Sequence, residues 1–130
     1  MTISIFGLLI GAGGAVRSFK QGATIFKEGD QASELYVIQN GSVRIQLGNR
    51  SLSTLYFNDI FGEMALIEGA PRSATIVADE DVVCYQLSGD DFNILVRDQP
   101  DIAAKIMRNT ARELVRRLRQ TSEDLRHATS

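Results

Sequence analysis

Short runs of alternating apolar and polar residues recur between residues 16 and 87, separated by turns rich in Gly, Asn and Asp. The clearest run is Ser42–Leu47, in which Val43, Ile45 and Leu47 form one face and polar residues form the other. A further strand is expected to end at Phe61. The other predicted strands are Val16–Phe19, Thr24–Phe26, Leu35–Ile38, Ser42–Leu47, Ser51–Phe57, Ala74–Ala78 and Val82–Leu87. About eight short strands at this spacing predict a barrel or jelly roll.

Two dipeptides in this region favour the positive φ angles of two-residue hairpin turns. Asn40-Gly41 separates the third and fourth predicted strands, and Gly48-Asn49 separates the fourth and fifth. We therefore predict a hairpin at each of the two positions.

The pattern changes to helical spacing after residue 87. Ser88 suits the N-cap of a short helix at Gly89–Arg97, because its hydroxyl can accept from a main-chain N–H of the first turn. Pro100 suits the opening of a second helix, and residues 101–127 contain neither Pro nor Gly. The predicted fold class is mainly β with flanking helices. It is an eight-stranded antiparallel β-roll (jelly roll) over about residues 16–87, followed by a short helix and a long C-terminal helix within about residues 88–127.

The long helix carries an apolar seam with the alternating spacing of a coiled coil. The seam positions are Met107, Ala111, Leu114, Leu118, Thr121 and Leu125. Two interpretations stay open: the helix packs on its own β domain, or it pairs with a second copy to form a homodimer. The excess of Arg in this helix is interpreted as a solvated face rather than a nucleic-acid-binding surface.

Length and composition limit the function classes. A chain of 130 residues with a net charge of −2 and 44% hydrophobic residues is typical of one globular domain. One Cys and one His exclude a disulfide framework and a Cys- or His-based metal centre. Residues 1–100 carry seven basic and twelve acidic side chains, a net charge of −5, whereas residues 101–130 carry a net charge of +3. An acidic body that binds an anion needs a local arrangement of cations and N–H donors.

Residues 1–15 are interpreted as a lead-in segment before a domain at residues 16–130. The apolar run Ile3–Ile10 is shorter than the ~20 residues that span a bilayer. No basic residue precedes it, so no secretory signal is predicted and a cytoplasmic location is expected.

Residues 61–75 combine several features of an anion site. Gly62 permits a close approach to the backbone, Glu63–Glu68 has helix-forming composition, and Gly69 ends the predicted helix. The free N–H groups at the start of a helix attract anions. Arg72 follows on a segment that leads into the next strand, where its guanidinium can reach the same anion.

Glu63 has two interpretations on residue type alone. A carboxylate repels phosphate but accepts hydrogen bonds from sugar hydroxyls, so a phosphate and a sugar together describe a nucleotide. The alternative is a structural salt bridge between Glu63 and Arg72.

This segment resembles the phosphate-binding cassette of the cyclic nucleotide-binding domain family, whose pattern is Phe-Gly-Glu-x-Ala-Leu, a short spacer, then Pro-Arg-x-Ala-Thr or Ser. The matching residues are Phe61, Gly62, Glu63, Ala65, Leu66, Pro71, Arg72, Ala74 and Thr75. The resemblance extends over about residues 16–127. It implies an eight-stranded β-roll with helices at its ends, in agreement with the predicted strands.

The resemblance also implies a role for each matching residue. Arg72 is expected to bind the exocyclic phosphate oxygens together with main-chain N–H groups, and Glu63 to accept from the ribose 2′-hydroxyl. Ser73 occupies a position that helps select the base, and Ser occurs there in bacterial cAMP receptors, so cAMP is favoured over cGMP. The expected ligand-binding residues are Phe61, Gly62, Glu63, Met64, Ala65, Arg72, Ser73, Ala74, Arg117, Thr121 and Ser122.

Residues 116–123 resemble the part of the long helix of bacterial catabolite activator proteins that reaches the adenine. Thr121 matches the base-contacting residue there, with Ser122 beside it. Measured from Pro100, this helix is about one turn longer before Thr121, so Arg117 is the alternative residue over the base. Those proteins continue into a helix-turn-helix domain, which is not recognised before Ser130. The effector is therefore expected outside this chain, and no nucleic-acid partner is expected.

The leading hypothesis is a regulatory module that binds a cyclic nucleotide and signals through movement of its C-terminal helix. No catalytic constellation is recognised, so an enzyme is not expected. The alternative is a dimerisation or scaffold domain with the same fold and no response to ligand.

Overall fold

The computed structural model describes residues 14–105, 107–108, 111–112, 115–116 and 118–119. Eight antiparallel strands form two four-stranded sheets. In spatial order, the first sheet contains β1 (Ala15–Phe19), β8 (Val82–Ser88), β3 (Glu34–Asn40) and β6 (Ile60–Phe61). The second sheet contains β2 (Thr24–Phe26), β7 (Thr75–Ala78), β4 (Val43–Leu47) and β5 (Arg50–Leu55).

Two short helices lie between and after the strands. Helix α1 spans Glu63–Glu68, between β6 and β7, and helix α2 spans Gly89–Asp98, directly after β8. Ser88 caps α2, since its Oγ accepts from the Asp91 N–H at 3.1 Å. Residues 100–105 and the described residues after them are helical.

The predicted fold class is confirmed as a mainly β jelly roll with a few helices. Each predicted strand occurs within two residues of its expected bounds, and a strand ends at Phe61 as expected. The predicted long helix is seen only at its described residues, and its part from residue 120 onwards lies outside them. Among the described residues, no helix is long and apolar enough to cross a membrane.

Alternate residues of β3 face two different apolar clusters. Tyr36 and Ile38 point between the two sheets, where they pack with residues of β4, β7 and β8. Leu35 and Val37 point to the opposite face, where α2 covers them through Phe92 and Leu95 and the side chain of Leu66 joins from α1. The first sheet is therefore covered on both faces at β3, and α1 contacts the cluster beneath α2.

The predicted hairpin at Asn40-Gly41 is wrong. Strands β3 and β4 belong to different sheets, so this dipeptide is a crossover between sheets rather than a turn within one. Gly41 is needed there for a positive φ of 85° and for close packing, since a Cβ would lie 2.3 Å from the Asp81 carbonyl oxygen. The predicted hairpin at Gly48-Asn49 is confirmed, because β4 and β5 pair directly through Leu47 and Arg50.

Burial follows the predicted alternation over residues 43–46 and departs from it at both ends of the run. Ser42 is 2% exposed, and its hydroxyl donates to Glu80 Oε1 at 2.7 Å, so this polar residue is buried with a partner. Leu47 is 47% exposed because it lies at the end of the hairpin, beyond the interior between the sheets.

Candidate functional site

Helix α1 is bounded by two glycines in the left-handed region. Gly62 is the N-cap residue with φ 87°, and Gly69 is the C-cap residue with φ 67°, where its N–H donates to the Ala65 carbonyl. Because most side chains are strained at such angles, the two glycines fix where this helix begins and ends. The predicted helix at Glu63–Glu68 is confirmed.

A pocket opens beside the first turn of α1. It is partly open to solvent, and its cavity volume is about 60 Å³. The structure brings a contiguous set of predicted site residues to its walls: Phe61, Gly62, Glu63, Met64, Ala65, Arg72, Ser73 and Ala74. The remaining walls are Phe26, Ile45 and Ile76.

The backbone of Arg72 is tied to the turn between β2 and β3. Its N–H donates to the Asp30 carbonyl at 2.8 Å, and its carbonyl accepts from the Gly29 N–H at 2.8 Å. This pairing sets where the Arg72 side chain enters the pocket.

Arg72 is 3% exposed, and main-chain acceptors hold its guanidinium. Nη1 donates to the Gly62 carbonyl and Nη2 to the Glu34 carbonyl, each at 2.6 Å. Nε is buried and has no hydrogen-bond partner among the described residues. Burial lowers the pKa of Arg72, while nearby carboxylates, first that of Glu34, act to raise it. An arginine stays protonated under such shifts, so the pocket contains a fixed positive charge.

Gly62 also makes room for that charge. A Cβ at this position would lie 2.8 Å from Arg72 Nη1 and 3.3 Å from the Glu34 carbonyl oxygen. The close approach predicted for Gly62 is therefore used by the Arg72 side chain.

Glu63 lies in the first turn of α1 and is 6% exposed. Its negative charge there is favoured by the helix dipole and by Arg72, whose pKa it acts to raise. A buried ionised carboxylate in a pocket wall can accept hydrogen bonds from hydroxyl groups of a ligand.

Three aromatic rings pack against one another near Arg72. The rings of Tyr36 and Phe61 stack with centroids 4.9 Å apart, and Phe26 lies 6.0 Å from Phe61. Arg72 Cζ lies 4.0 Å from the centre of the Phe26 ring, within cation–π distance. Tyr36 Oη donates to Glu34 Oε1 at 3.0 Å, and burial, followed by the charge of Glu34, raises the pKa of Tyr36 to about 12.

Sequence reasoning did not identify several residues of this site. Phe26, Ile45 and Ile76 line the pocket. Of these, only Ile45 had a signal in the sequence, because the alternation in β4 predicts that its side chain faces inward. Glu34 contributes to the site through its main-chain carbonyl, which accepts a hydrogen bond from Arg72. No side-chain pattern could have pointed to a carbonyl.

The predicted contacts from the tail are not tested. Arg117, Thr121 and Ser122 lie outside the described residues, so their position relative to the pocket stays a prediction. Among the described residues, no group of three or more His, Cys, Asp or Glu side chains is placed to hold a metal ion.

Comparison with known proteins identifies the family. Residues 16–99 match the family model of the cyclic nucleotide-binding domain. A cGMP-dependent protein kinase of Toxoplasma gondii is 43% identical over 72 residues, which cover 55% of this chain and 7% of the kinase. The cyclic AMP receptor protein of Thermus thermophilus is 38% identical over 114 residues, which cover 84% of this chain and 51% of that protein.

A solved structure supports the same assignment. The crystal structure of the Thermus thermophilus catabolite activator protein superimposes with a TM-score of 0.73 at 33% identity, over 99% of this chain and 61% of that one. The chain thus spans about half the length of the bacterial relative and a small part of the kinase. These matches show a cyclic nucleotide-binding regulatory domain, and the chain belongs to the cyclic nucleotide-binding domain family.

Proposed function

We propose that the pocket beside α1 binds cAMP in preference to cGMP, and that binding moves the C-terminal helix over the base. The observation that carries the proposal is the buried guanidinium of Arg72 in a wall of this pocket. Burying a positive charge is costly, and an anionic ligand would add to the carbonyls and carboxylates that offset the cost.

The donors of this site suit a cyclic phosphate. A guanidinium has five N–H donors, of which Arg72 gives one to Gly62 and one to Glu34. We propose that the other three N–H groups, including that of Nε, donate to phosphate oxygens. Main-chain N–H groups of Met64 and Ala65 lie in the first turn of α1, where helical partners are lacking.

The acceptor and the apolar walls suit the rest of the nucleotide. Glu63 is proposed to accept from the ribose 2′-hydroxyl, a short distance along α1 from the phosphate donors. Ile45, Ile76 and Ala74 provide apolar surface for the nucleoside.

The preference for cAMP rests on Ser73 and on one of the relatives. Ser73 is exposed at the pocket, where its hydroxyl is available to the ligand. The bacterial cyclic AMP receptor protein matches more of this chain than the cGMP-dependent kinase does. Arg117, Thr121 and Ser122 are proposed to complete the site at the base.

Leu66 links the pocket to α2 and to the helix that follows it through its packing contacts. It belongs to α1, and it packs against the cluster that contains Phe92, Leu95 and Ile102. A ligand that shifts α1 therefore changes the packing of α2 and of the helix that follows. We propose that this shift favours one of two positions of the C-terminal helix.

The regions outside the pocket also have proposed roles. Residues 1–15 are a lead-in to a cytoplasmic domain at residues 16–130, and the effector that the domain regulates lies outside this chain. The proposed role of the domain is regulatory.

Calorimetric titration with cAMP and with cGMP tests this proposal. We expect binding of both nucleotides at millimolar concentration or better, with cAMP the tighter ligand. Absence of heat for both nucleotides contradicts the proposal and favours the scaffold alternative. Tighter binding of cGMP contradicts only the base preference.

Arg72→Ala is expected to weaken cAMP binding by about 2–5 kcal/mol, because it removes a charge-assisted contact to phosphate. Arg44→Ala is the matched control, since Arg44 pairs with Asp79 at 2.9 Å and is not part of the pocket wall. Equal affinities of the two variants contradict the role of Arg72.

A further inference from the structure

We propose that Phe26 is a positioning residue for Arg72, and that its ring holds the guanidinium in the orientation that binds phosphate. The inference rests on the proposed function and adds a residue of β2 to the site. Phe26 is remote in sequence from the cassette at residues 61–75 and reaches it only through the fold.

The ring and the two carbonyls restrain the guanidinium in different ways. The Gly62 and Glu34 carbonyls each accept from one terminal nitrogen. Phe26 has its ring centre 4.0 Å from Cζ, a separation at which the guanidinium rests against the aromatic surface. The carbonyls thus fix the terminal nitrogens, and the ring restrains the central carbon.

The ring itself is restrained by other aromatic residues. Phe26 lies 6.0 Å from Phe61 and 6.2 Å from Tyr36, and these two rings stack on each other. A side chain held in this way can hold Arg72 in turn, before any ligand arrives.

Preorganisation is the reason that this contact affects affinity. Arginine has many rotamers, and immobilising such a side chain on binding costs conformational entropy. A guanidinium already in place avoids much of that cost. The ring also excludes water from one side of the charge, which strengthens its attraction to phosphate.

Phe19 provides a matched control within the same core. It also packs beside Tyr36, at 6.3 Å, and its ring also has an arginine, Arg17, whose Cζ lies 5.7 Å away. It differs in that neither Phe19 nor Arg17 lines the pocket. Phe19→Leu therefore reproduces the loss of a ring in the core and of an arginine contact, away from the ligand.

The experiment compares cAMP affinities of the wild type, Phe26→Leu, Phe26→Tyr and Phe19→Leu by calorimetry, with thermal midpoints to monitor folding. We expect Phe26→Leu to bind cAMP about 3- to 10-fold more weakly. Phe26→Tyr keeps the ring and is expected to bind within about twofold of the wild type, as is Phe19→Leu. Equal affinities for Phe26→Leu and Phe19→Leu overturn the inference.

A double-mutant cycle separates positioning from a simple wall effect. Arg72→Lys keeps a charge but replaces the flat guanidinium with a compact ammonium. In that background, we expect Phe26→Leu to change the affinity by less than about twofold. The same loss in both backgrounds shows that the ring acts as a pocket wall and overturns the inference. Failure of the wild type to bind either nucleotide overturns the proposed function as well, whereas normal wild-type binding with an unaffected Phe26→Leu overturns the inference alone.

Discussion

Arg72 is held by groups that come from four different segments. Main-chain carbonyls of Gly62 and Glu34 accept from it, the ring of Phe26 lies against it, and the Gly29–Asp30 turn holds its backbone. The position of a single charge therefore depends on contacts that are distant in sequence.

Gly62→Ala is expected to abolish or strongly weaken cAMP binding. Its Cβ would lie 2.8 Å from Arg72 Nη1, so the guanidinium must move from its place in the pocket. The strain of an L-residue at φ 87° adds about 1–2 kcal/mol to the loss of stability. Calorimetry and thermal denaturation measure the two effects.

Gly69→Ala is the control for backbone strain. Gly69 also has a positive φ, 67°, but a Cβ there would meet no atom within 4 Å. We expect this variant to lose a similar amount of stability and to keep its affinity for cAMP. Equal affinities for the two variants would show that crowding of Arg72 is unimportant.

Among single residues, the sequence predicted those whose roles follow from positions close to them in the chain. A short helix is bounded by Gly62 on one side and by Gly69 and Pro71 on the other, and Arg72 follows directly. The proximity of Arg72 to this helix could therefore be predicted from the spacing. The part played by the Glu34 carbonyl and by Phe26 could not, because each comes from a strand that reaches the cassette only by sheet pairing.

Among the elements, the crossover at Gly41 shows where local signals mislead. Asn-Gly favours positive φ angles, and the structure does place Gly41 at φ 85°. Which strand pairs with which is decided by the apolar faces of all eight strands. The dipeptide therefore predicted a conformation correctly and a hairpin wrongly.

Gly41→Ala is expected to destabilise the domain by several kcal/mol, because its Cβ would collide with the Asp81 carbonyl in addition to straining the backbone. Gly48→Ala is the control: its φ is 58°, and a Cβ there would meet no atom within 4 Å. We expect about 1 kcal/mol for Gly48→Ala in urea denaturation. Similar losses would contradict the close packing at the crossover.

For the whole molecule, the raised pKa values of two buried side chains predict a loss of stability at alkaline pH. Burial raises the pKa of Cys84 from 9.0 to about 12, and burial and Glu34 raise the pKa of Tyr36 from 10.0 to about 12. Both groups are neutral in the fold and ionise more readily in the unfolded chain. Their stabilisation is therefore complete below about pH 9 and is lost as the pH rises towards 12.

Urea denaturation at a series of pH values measures this loss. We expect the midpoint for the wild type to fall steadily above pH 9, and the fall to be shallower for Tyr36→Phe, which cannot ionise at that position. An identical pH profile for the two proteins would contradict the shifted pKa of Tyr36.

The exposed apolar seam of the C-terminal helix predicts self-association. Leu118 is 67% exposed and Met107 42% exposed, and both belong to the seam predicted from the sequence. We expect the protein to sediment as a dimer and Leu118→Glu as a monomer, because charge at a seam position opposes helix pairing. Leu47→Glu is the control, since Leu47 is 47% exposed on β4. A monomeric wild type, with and without cAMP, would contradict dimerisation through this helix.

The enclosure of β3 has a consequence for hydrogen exchange. This strand is bonded to a neighbour along both edges and has apolar side chains packed against both faces. Small openings near the pocket leave such a strand intact, so its amides exchange with deuterated solvent only when the whole domain unfolds. The slowest amides of β3 therefore report the global free energy of unfolding, an internal reference against which the protection of α1 can be read with and without nucleotide.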